Sequence, residues 1–202
     1  MITSNNQLEE SSIINWRNRE SSTSLKVGDV IEPRDLETIH GDRLRIPDPE
    51  HLVHLEFLRF AGCAVCNLHL RSIARRHDEI LAGGVKEVAV FYSTRERMLE
   101  FQGSLPFAAV ADPERKLYAE FSANRKASLL VVLSLRSWIT IFKTAARYRT
   151  LKGMGRKKDE DRMGLPSDFL VDRHGRILAV NYGKRVDDHW SADELLELAR
   201  SR

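Results

Sequence analysis

The chain has only two cysteines, Cys63 and Cys66, and they stand three positions apart. They lie in the run from Glu56 to Leu70, where an apolar, strand-like stretch gives out at Gly62 and a helical pattern begins. A C-x-x-C pair at a strand-to-helix junction suits a redox dithiol. The unpaired amides of a helix start stabilise a thiolate and lower a thiol's pKa. One helical turn also brings two sulfurs near enough to bond. Two other uses compete: a pair of buried structural thiols, and a metal set made by Cys63, Cys66 and His69. Zinc ordinarily takes four nitrogen or sulfur ligands, and the chain has no second cysteine pair. The redox use is therefore favoured. Cys63, first in the helix, is expected to be the exposed attacking thiolate, and Cys66 its resolving partner.

Residues around the pair have roles to be weighed. Arg59 either lowers a thiol pKa by its charge or is an exposed strand-end cation. Glu56 is expected to be an edge-facing, solvated carboxylate, with proton acceptance from the second thiol as the alternative. His69 is expected to cap or pack on the helix, with a proton-relay role as the alternative. His189, after Asp187 and Asp188, suggests a structural polar network.

The elements that must position these residues alternate in kind. Val27–Val30 and Arg43–Ile46 read as short strands, with a turn at His40-Gly41-Asp42. Leu52 to Phe60 alternates as a strand. One helix is predicted from Cys63 to Leu81, with Cys66, Leu70, Ile73 and Ile80 at helical spacing and Gly83-Gly84 as its stop. A buried strand over 85–92 and a helix over 94–101 follow. A strand over 107–110 then leads into a helix starting at Asp112-Pro113-Glu114. Phe169–Asp172 and Ile177–Val180 form a hairpin about Arg173-His174-Gly175. Ser191 and Glu194 make a capping box for a last helix. The order is β-α-β-α-β-α and then β-β-α, which predicts an α/β fold with a mixed sheet covered on both faces.

Residues 1–24 read as a mobile tail. The segment 127–163 departs from the rhythm. Val131, Leu135, Trp138, Phe142 and Ala145 form an apolar stripe on a helix over 128–148, opposed by Arg136, Thr140, Lys143 and Arg147. Its longest uncharged run ends at Arg136, short of the roughly 18–20 residues a membrane span needs. The expectation is a packed or partner-binding helix, either roofing the site or building a homodimer. The charged stretch Lys152–Arg162 reads as a solvated loop.

Composition narrows the function classes. Hydrophobic residues make up 42% of the 202 and charged residues 30%, enough for a packed core. The net charge of +3 does not mark a nucleic-acid binder. Two cysteines are too few for a small secreted disulfide framework. The N-terminus has neither a basic start nor an apolar segment, so a cytoplasmic location is expected.

Several segments, in order, resemble the peroxiredoxin-like branch of the thioredoxin-fold superfamily, in the alkyl hydroperoxide reductase/thiol-specific antioxidant group. They are Val27-Gly28-Asp29, the stretch Leu58–Cys66, Val88–Ser93, Leu105–Pro113, Gly164–Gly175 and Tyr182–His189. The resemblance covers about residues 25–200. It implies a thioredoxin-like domain over 25–202, with a central mixed sheet flanked by helices and an extra helical insertion at about 127–163. It implies catalysis by Cys63 and Cys66, supported by Arg59, Gly62, Leu165 and a cis Pro166 beside the dithiol. The implied activity is reduction of peroxides or disulfides with formation of a Cys63–Cys66 disulfide. An external reductant, thioredoxin-like or a small thiol, would then reopen it, with no cofactor or metal. A redox-sensing interaction module without efficient turnover is the alternative. The chain departs from the Pro-x-x-x-Thr-x-x-Cys pattern of typical peroxiredoxins. If Cys66 takes the peroxidatic place, Cys63 stands at the Thr position and Arg59 at the Pro position, and the cysteine roles reverse. The Trp-Cys-Gly-Pro-Cys of thioredoxins is absent as well.

Overall fold

A computed structural model describes residues 24–127 and 163–202. The expectations for the tail and for the helix over 128–148 lie outside the described residues. The main sheet has five strands in the order β5-β4-β3-β6-β7. These are β3 (Leu52–Phe57), β4 (Val85–Phe91), β5 (Ala108–Ala111), β6 (Ser167–Val171) and β7 (Ile177–Tyr182). β3 runs parallel to β4, β4 runs parallel to β5, and β6 and β7 run antiparallel. The mixed sheet is the one predicted, and together with its helices it is a thioredoxin-like α/β fold.

Alternation along β3 sends its side chains to two different layers. Phe57 meets an aromatic cluster: Tyr118 at 5.1 Å, Phe121 at 5.1 Å and Phe169 at 5.7 Å between ring centroids. Edge-on and tilted contacts of this kind suit the quadrupoles of aromatic rings. The other face carries His54 and Glu56. There α1 (Ala64–Ala74), α2 (His77–Ala82) and α5 (Ala192–Arg200) gather around Ile73, Ile80, Val85, Leu170 and Leu195. Ser191 caps α5, accepting from the Glu194 amide while the Glu194 side chain accepts from the Ser191 amide, as the capping box predicts. Thr94 likewise caps α3 (Arg95–Gln102).

Three predicted boundaries move. The helix expected over Cys63–Leu81 is broken at Arg75 and Arg76. There the Arg76 amide tightens onto Ile73 O and its guanidinium is drawn to Glu79 and to Asp193 of α5. The small hairpin pairs β2 (Arg43–Ile46) with β1 (Arg34–Glu37) rather than with Val27–Val30. The earlier segment is instead turned at Gly28 (φ 94°) and meets the start of β7 through the bridge Val30–Arg176 and the Gly28 amide's bond to Ile177 O. Finally, α4 (Lys116–Glu120) starts beyond Pro113, because the Asp112 carboxylate takes the amides of Lys116 and Tyr118.

The end of β7 closes on the entry to β6. Gly183 donates its amide to Pro166 O at 3.0 Å. A Cβ at Gly183 would lie 2.7 Å from Pro166 Cγ and 3.0 Å from the carbonyl oxygens of Pro166 and Asp188. Gly183→Ala is therefore expected to destabilise the fold by about 1–3 kcal/mol, read as a lower urea midpoint with an unchanged slope.

Candidate active site

The dithiol sits where β3 ends and α1 begins. Leu58 continues the ladder by donating to Val90 O at 2.9 Å, and a turn follows in which the Cys63 amide donates to Phe60 O at 2.9 Å. Gly62 is buried in this turn. A set of buried polar groups holds the turn. Ser93 Oγ accepts from the Ala61 amide at 2.9 Å. The Ala61 carbonyl accepts from Asn67 Nδ2 at 2.7 Å and from Gln102 Nε2 at 3.0 Å. Gln102 Nε2 also reaches Asn67 Oδ1 at 2.8 Å, tying α3 to α1. Tyr118 Oη donates to the carbonyl oxygens of Leu58 and Val90.

Cys63 is the N-cap of α1, and it is joined to Cys66 as a disulfide with the Cα atoms 5.3 Å apart, a separation such bonds favour. Two donors point at Cys63 Sγ: Arg59 Nη2 at 3.0 Å and the Cys66 amide at 3.2 Å. Both favour a thiolate on Cys63 once the bond opens. Arg59 is buried, not an exposed strand-end cation. Burial pulls its guanidinium below the ordinary value, opposed by Tyr92 and Asp187, and an arginine so placed remains a cation. Both sulfur-bearing residues are only 2% exposed, so the expectation of an exposed Cys63 does not hold for the disulfide state. The cap position tucks the side chain back over its own helix turn.

Leu165 and Pro166 enter β6 beside this loop, because Ser167 pairs with Phe57. Leu165 donates its amide to Arg125 O. The bond before Pro166 is trans, which corrects the cis expectation. Among the described residues the cis peptide is Ile46–Pro47. Pro166 is the residue just before β6, with Leu165 anchored by the Arg125 contact, and an extended entry is what a residue before proline prefers. Gly164 packs close to Arg59 and Tyr92: a Cβ there would lie 3.5 Å from Arg59 Cγ and 3.3 Å from Tyr92 Oη.

Beneath α1 the sheet carries a buried ladder of ionisable groups. Register sets His54 beside Glu87 of β4, and Glu56 beside Asp168 of β6, which itself pairs with Asn181 of β7. His54 Nδ1 lies 2.8 Å from Glu87 Oε2, and His189 Nδ1 lies 2.8 Å from Asp168 Oδ1. His69 Nε2 lies 2.9 Å from Glu56 Oε2. The rings of His69 and His189 stack with centroids 4.4 Å apart. Glu56 is fully buried, which overturns the solvated-carboxylate expectation. Its neighbours explain why: the two imidazoles and the α1 roof replace water. His69 is a partner of this carboxylate rather than a cap. His189 does join a polar network, but with Asp168.

Charge is divided unevenly along the ladder. Burial pushes Glu56 up, but His69, His54 and His189 outweigh it and hold its pKa down at about 2. Asp168 is driven down in the same way, against burial, by His189 and His54. Glu87 is raised to about 7: burial dominates, and repulsion from Glu56 adds to it against the attraction of His54. Burial lowers His54 and His69, yet their carboxylate neighbours carry both above the ordinary value. Glu56 Oε1 and Glu87 Oε1 each lack a hydrogen-bond partner when both groups are counted as carboxylates. A proton on Glu87, shared with Glu56, satisfies both.

Two sets, Glu56–His69–His189 and His54–Glu56–Glu87, hold ligand atoms within 4.8 Å of one another. The stacked imidazoles present parallel planes 11° apart. In the first set, the in-plane lone pairs of these two rings therefore do not converge on one point; in the second, His54 and Glu87 are already bonded to each other. The metal set Cys63, Cys66 and His69 is not formed either, since the sulfurs are bonded to each other and His69 faces Glu56. Of the six ladder residues, the sequence singles out Glu56, His69 and His189, while His54, Glu87 and Asp168 join them only in the fold. The available signal was the His54-x-Glu56 alternation within an apolar strand; Glu87 and Asp168 stand next to another polar residue at the start of their strands and carry no such pattern.

The fold and the disulfide define a thioredoxin-fold, peroxiredoxin-like protein. The chain belongs to the AhpC/TSA antioxidant enzyme family, whose model matches residues 72–185; both cysteines precede that match. Among solved structures it is similar to peroxidoxin BcpB from Mycobacterium tuberculosis (16% identity, TM-score 0.63, covering 88% of this chain and 97% of that one). It is also similar to the 2-Cys peroxiredoxin of Plasmodium vivax (11%, 0.60, 87% and 81%). A third likeness is to peroxiredoxin Q of Xanthomonas campestris (14%, 0.60, 84% and 90%). No curated protein matches the sequence. No helix among the described residues is long and apolar enough to cross a membrane.

Two outcomes are expected from this geometry. In the reduced protein, Arg59→Met should move the Cys63 thiolate titration, followed by absorbance at 240 nm, upward by about one pH unit. Stability should peak near pH 5. Glu56 and Asp168, lowered in the fold from 4.5 and 3.8, contribute stability that is lost as pH falls below those values. Glu87, raised from 4.5 to about 7, opposes folding increasingly as pH rises through that interval. His54 and His69, raised from 6.5, contribute stability that is whole below that value and is lost as pH rises from it through their folded values. Urea midpoints across pH 3–9 check the dome, and Glu87→Gln should flatten its alkaline side.

Proposed function

We propose that this protein is a dithiol oxidoreductase of the peroxiredoxin-like type, with Cys63 as the attacking thiolate and Cys66 as the resolving thiol. The observation that carries the reading is the convergence of Arg59 Nη2 and the Cys66 amide on Cys63 Sγ. These donors lower the proton affinity of one sulfur only, and thiolate character decides which cysteine attacks. With a peroxide, Cys63 S⁻ attacks one oxygen, the O–O bond breaks, and the other oxygen leaves as alcohol or water after taking a proton. Cys63 becomes a sulfenic acid. Cys66 then attacks that sulfur, water departs, and the Cys63–Cys66 bond forms. With a disulfide substrate, the first product is a mixed disulfide resolved in the same way. An external thiol returns the pair to the dithiol; the chemistry calls for no metal or organic cofactor. Membership of the AhpC/TSA family supports peroxide as the substrate class.

The near-complete burial of both cysteines favours a second reading, a redox sensor that oxidises without rapid turnover. One experiment separates the readings. Reduced protein receives one equivalent of hydrogen peroxide, cumene hydroperoxide or oxidised glutathione, and remaining thiols are counted over time against a urea-unfolded control. The enzyme reading expects loss of both thiols far faster than in the control, with dimedone trapped at Cys63 in Cys66→Ser and no trapping in Cys63→Ser. Thiols that react no faster folded than unfolded would sink it. Rapid oxidation followed by slow re-reduction with thioredoxin or glutathione would select the sensor.

A further inference from the structure

Arg59 touches Cys63 Sγ at one end and the wall of a pocket at the other. Its Nη2 donates to the sulfur at 3.0 Å. A Cβ on Gly164 would lie 3.5 Å from Arg59 Cγ and 3.3 Å from Tyr92 Oη. Gly164 and Tyr92 belong to the pocket, which Leu165, Arg115, Arg125 and Lys126 also line. Two backbone contacts hold the Arg125–Lys126 segment against the entry to β6: the Leu165 amide donates to Arg125 O at 2.9 Å, and Lys126 bridges Gly164. Arg115 comes from the start of α4. Among the described lining residues there are thus three cations and no acid. The acids of the neighbouring segment are engaged elsewhere. Asp112 accepts the amides of Lys116 and Tyr118, Glu114 pairs with Lys116, and Glu120 pairs with Arg34. The Arg115 guanidinium lies 4.2 Å from the Tyr92 ring centroid, and that of Arg125 lies 5.2 Å from the Tyr182 centroid. A ring orients a guanidinium without neutralising it. The backbone adds an independent sign. Arg115 (φ 56°) and Ser122 (φ 54°) bracket α4 in left-handed conformations that non-glycine residues seldom adopt. Strain of this kind gathers at ligand sites.

We propose that this pocket is an anion subsite of the dithiol. It holds the carboxylate of a small organic reagent whose reactive atom, a peroxide oxygen or a thiolate sulfur, is presented to Cys63 Sγ. The proposal rests on the redox reading above and adds the chemical class of its reagent. Two guanidinium groups suit a carboxylate because each offers paired donors in one plane, and Lys126 adds a point charge. A recess of one sign also concentrates counter-ions, which raises the rate of capture. Only the length of the Arg59 side chain separates the pocket wall from the sulfur, so a reagent built on one aromatic ring or a short alkyl chain spans the two. A neutral reagent gains nothing from the cations. An acidic hydroperoxide and an acidic thiol share the required chemistry, one as oxidant and the other as reductant.

The test uses the full chain and pairs of reagents that differ in charge. In the oxidising arm, reduced protein receives cumene hydroperoxide or its para-carboxylate. In the reducing arm, oxidised protein receives 2-mercaptoethanol or 3-mercaptopropionate, with rates expressed per thiolate. The carboxylate should be favoured roughly tenfold over the neutral reagent at low salt in at least one arm, and that arm identifies the source. The ratio should fall to within about twofold of parity in high salt and in the triple variant Arg115→Gln, Arg125→Gln, Lys126→Gln. Benzoate added to the oxidised chain should shift the amide resonances of Arg115, Arg125 and Gly164 saturably, and the triple variant should lose the effect. Parity in both arms, or a preference that the triple variant keeps, overturns the proposal. If that variant does not fold, Arg115→Gly takes its place under the same readings, since it removes a cation and relieves the left-handed backbone. Thiols that react with no reagent overturn the redox reading, while benzoate binding still decides the anion pocket, so the two failures are distinguishable.

Discussion

The pairing of β3 with parallel β4 on one side and antiparallel β6 on the other is the constraint from which the rest of the molecule follows. A strand bonded on both edges has no freedom of register, because a slip of one residue would exchange its two faces. Here the exchange would be disastrous. Phe57 and Leu55 belong to the aromatic core, while His54 and Glu56 belong to the ionisable ladder. The same pairing fixes the height at which β3 stops, and so where Leu58–Cys63 must turn. The position of the dithiol is thus a property of the sheet, relayed by the short loop that Ser93, Asn67 and Gln102 secure.

The ladder shows how a protein keeps several ionisable groups in a place where one alone would be excluded. An unpaired buried charge carries a penalty of several kcal/mol even after relaxation. Alternating imidazoles and carboxylates divide that burden: Glu56 and Asp168 each face a histidine, and the surplus acid, Glu87, holds its proton up to about pH 7. Hydrophobic residues would fill the same layer more simply, as they do on the opposite face. A charged layer directly under the helix that bears the cysteines, rather than elsewhere in the sheet, is what connects fold to chemistry.

Much of this was legible from the residues. Strand and helix periodicities gave the α/β order, and Ser191 with Glu194 marked a helix start through local hydrogen bonding that needs no tertiary context. The dithiol was visible because cysteine spacing and a strand-to-helix switch are both local signals. The ladder was hidden for the opposite reason. Whether Glu56 is solvated depends on His69 thirteen residues later and on His54, Asp168 and His189 on neighbouring segments, and single-chain periodicity does not report such meetings. Arg59 was ambiguous on the same ground, since the sulfur four residues away and the wall made by Tyr92 and Gly164 decide its burial. The break at Arg75–Arg76 escaped notice because Ile73 and Ile80 keep helical spacing across it, while Asp193, which Arg76 meets at the break, is far along the chain. The proline was misread because its dipeptide context does not set the isomer, and trans is the lower-energy form of an X–Pro bond.

The clamp on Ala61 has one more consequence. Its amide and carbonyl are both bound to side chains from the turn after β4, from α1 and from α3, none of which involves a sulfur atom. The scaffold that presents Cys63 is therefore independent of the bond it presents. Opening or closing that bond requires none of these hydrogen bonds to break. The loop is built as a socket rather than a spring: the bond it holds is not among the bonds that hold it.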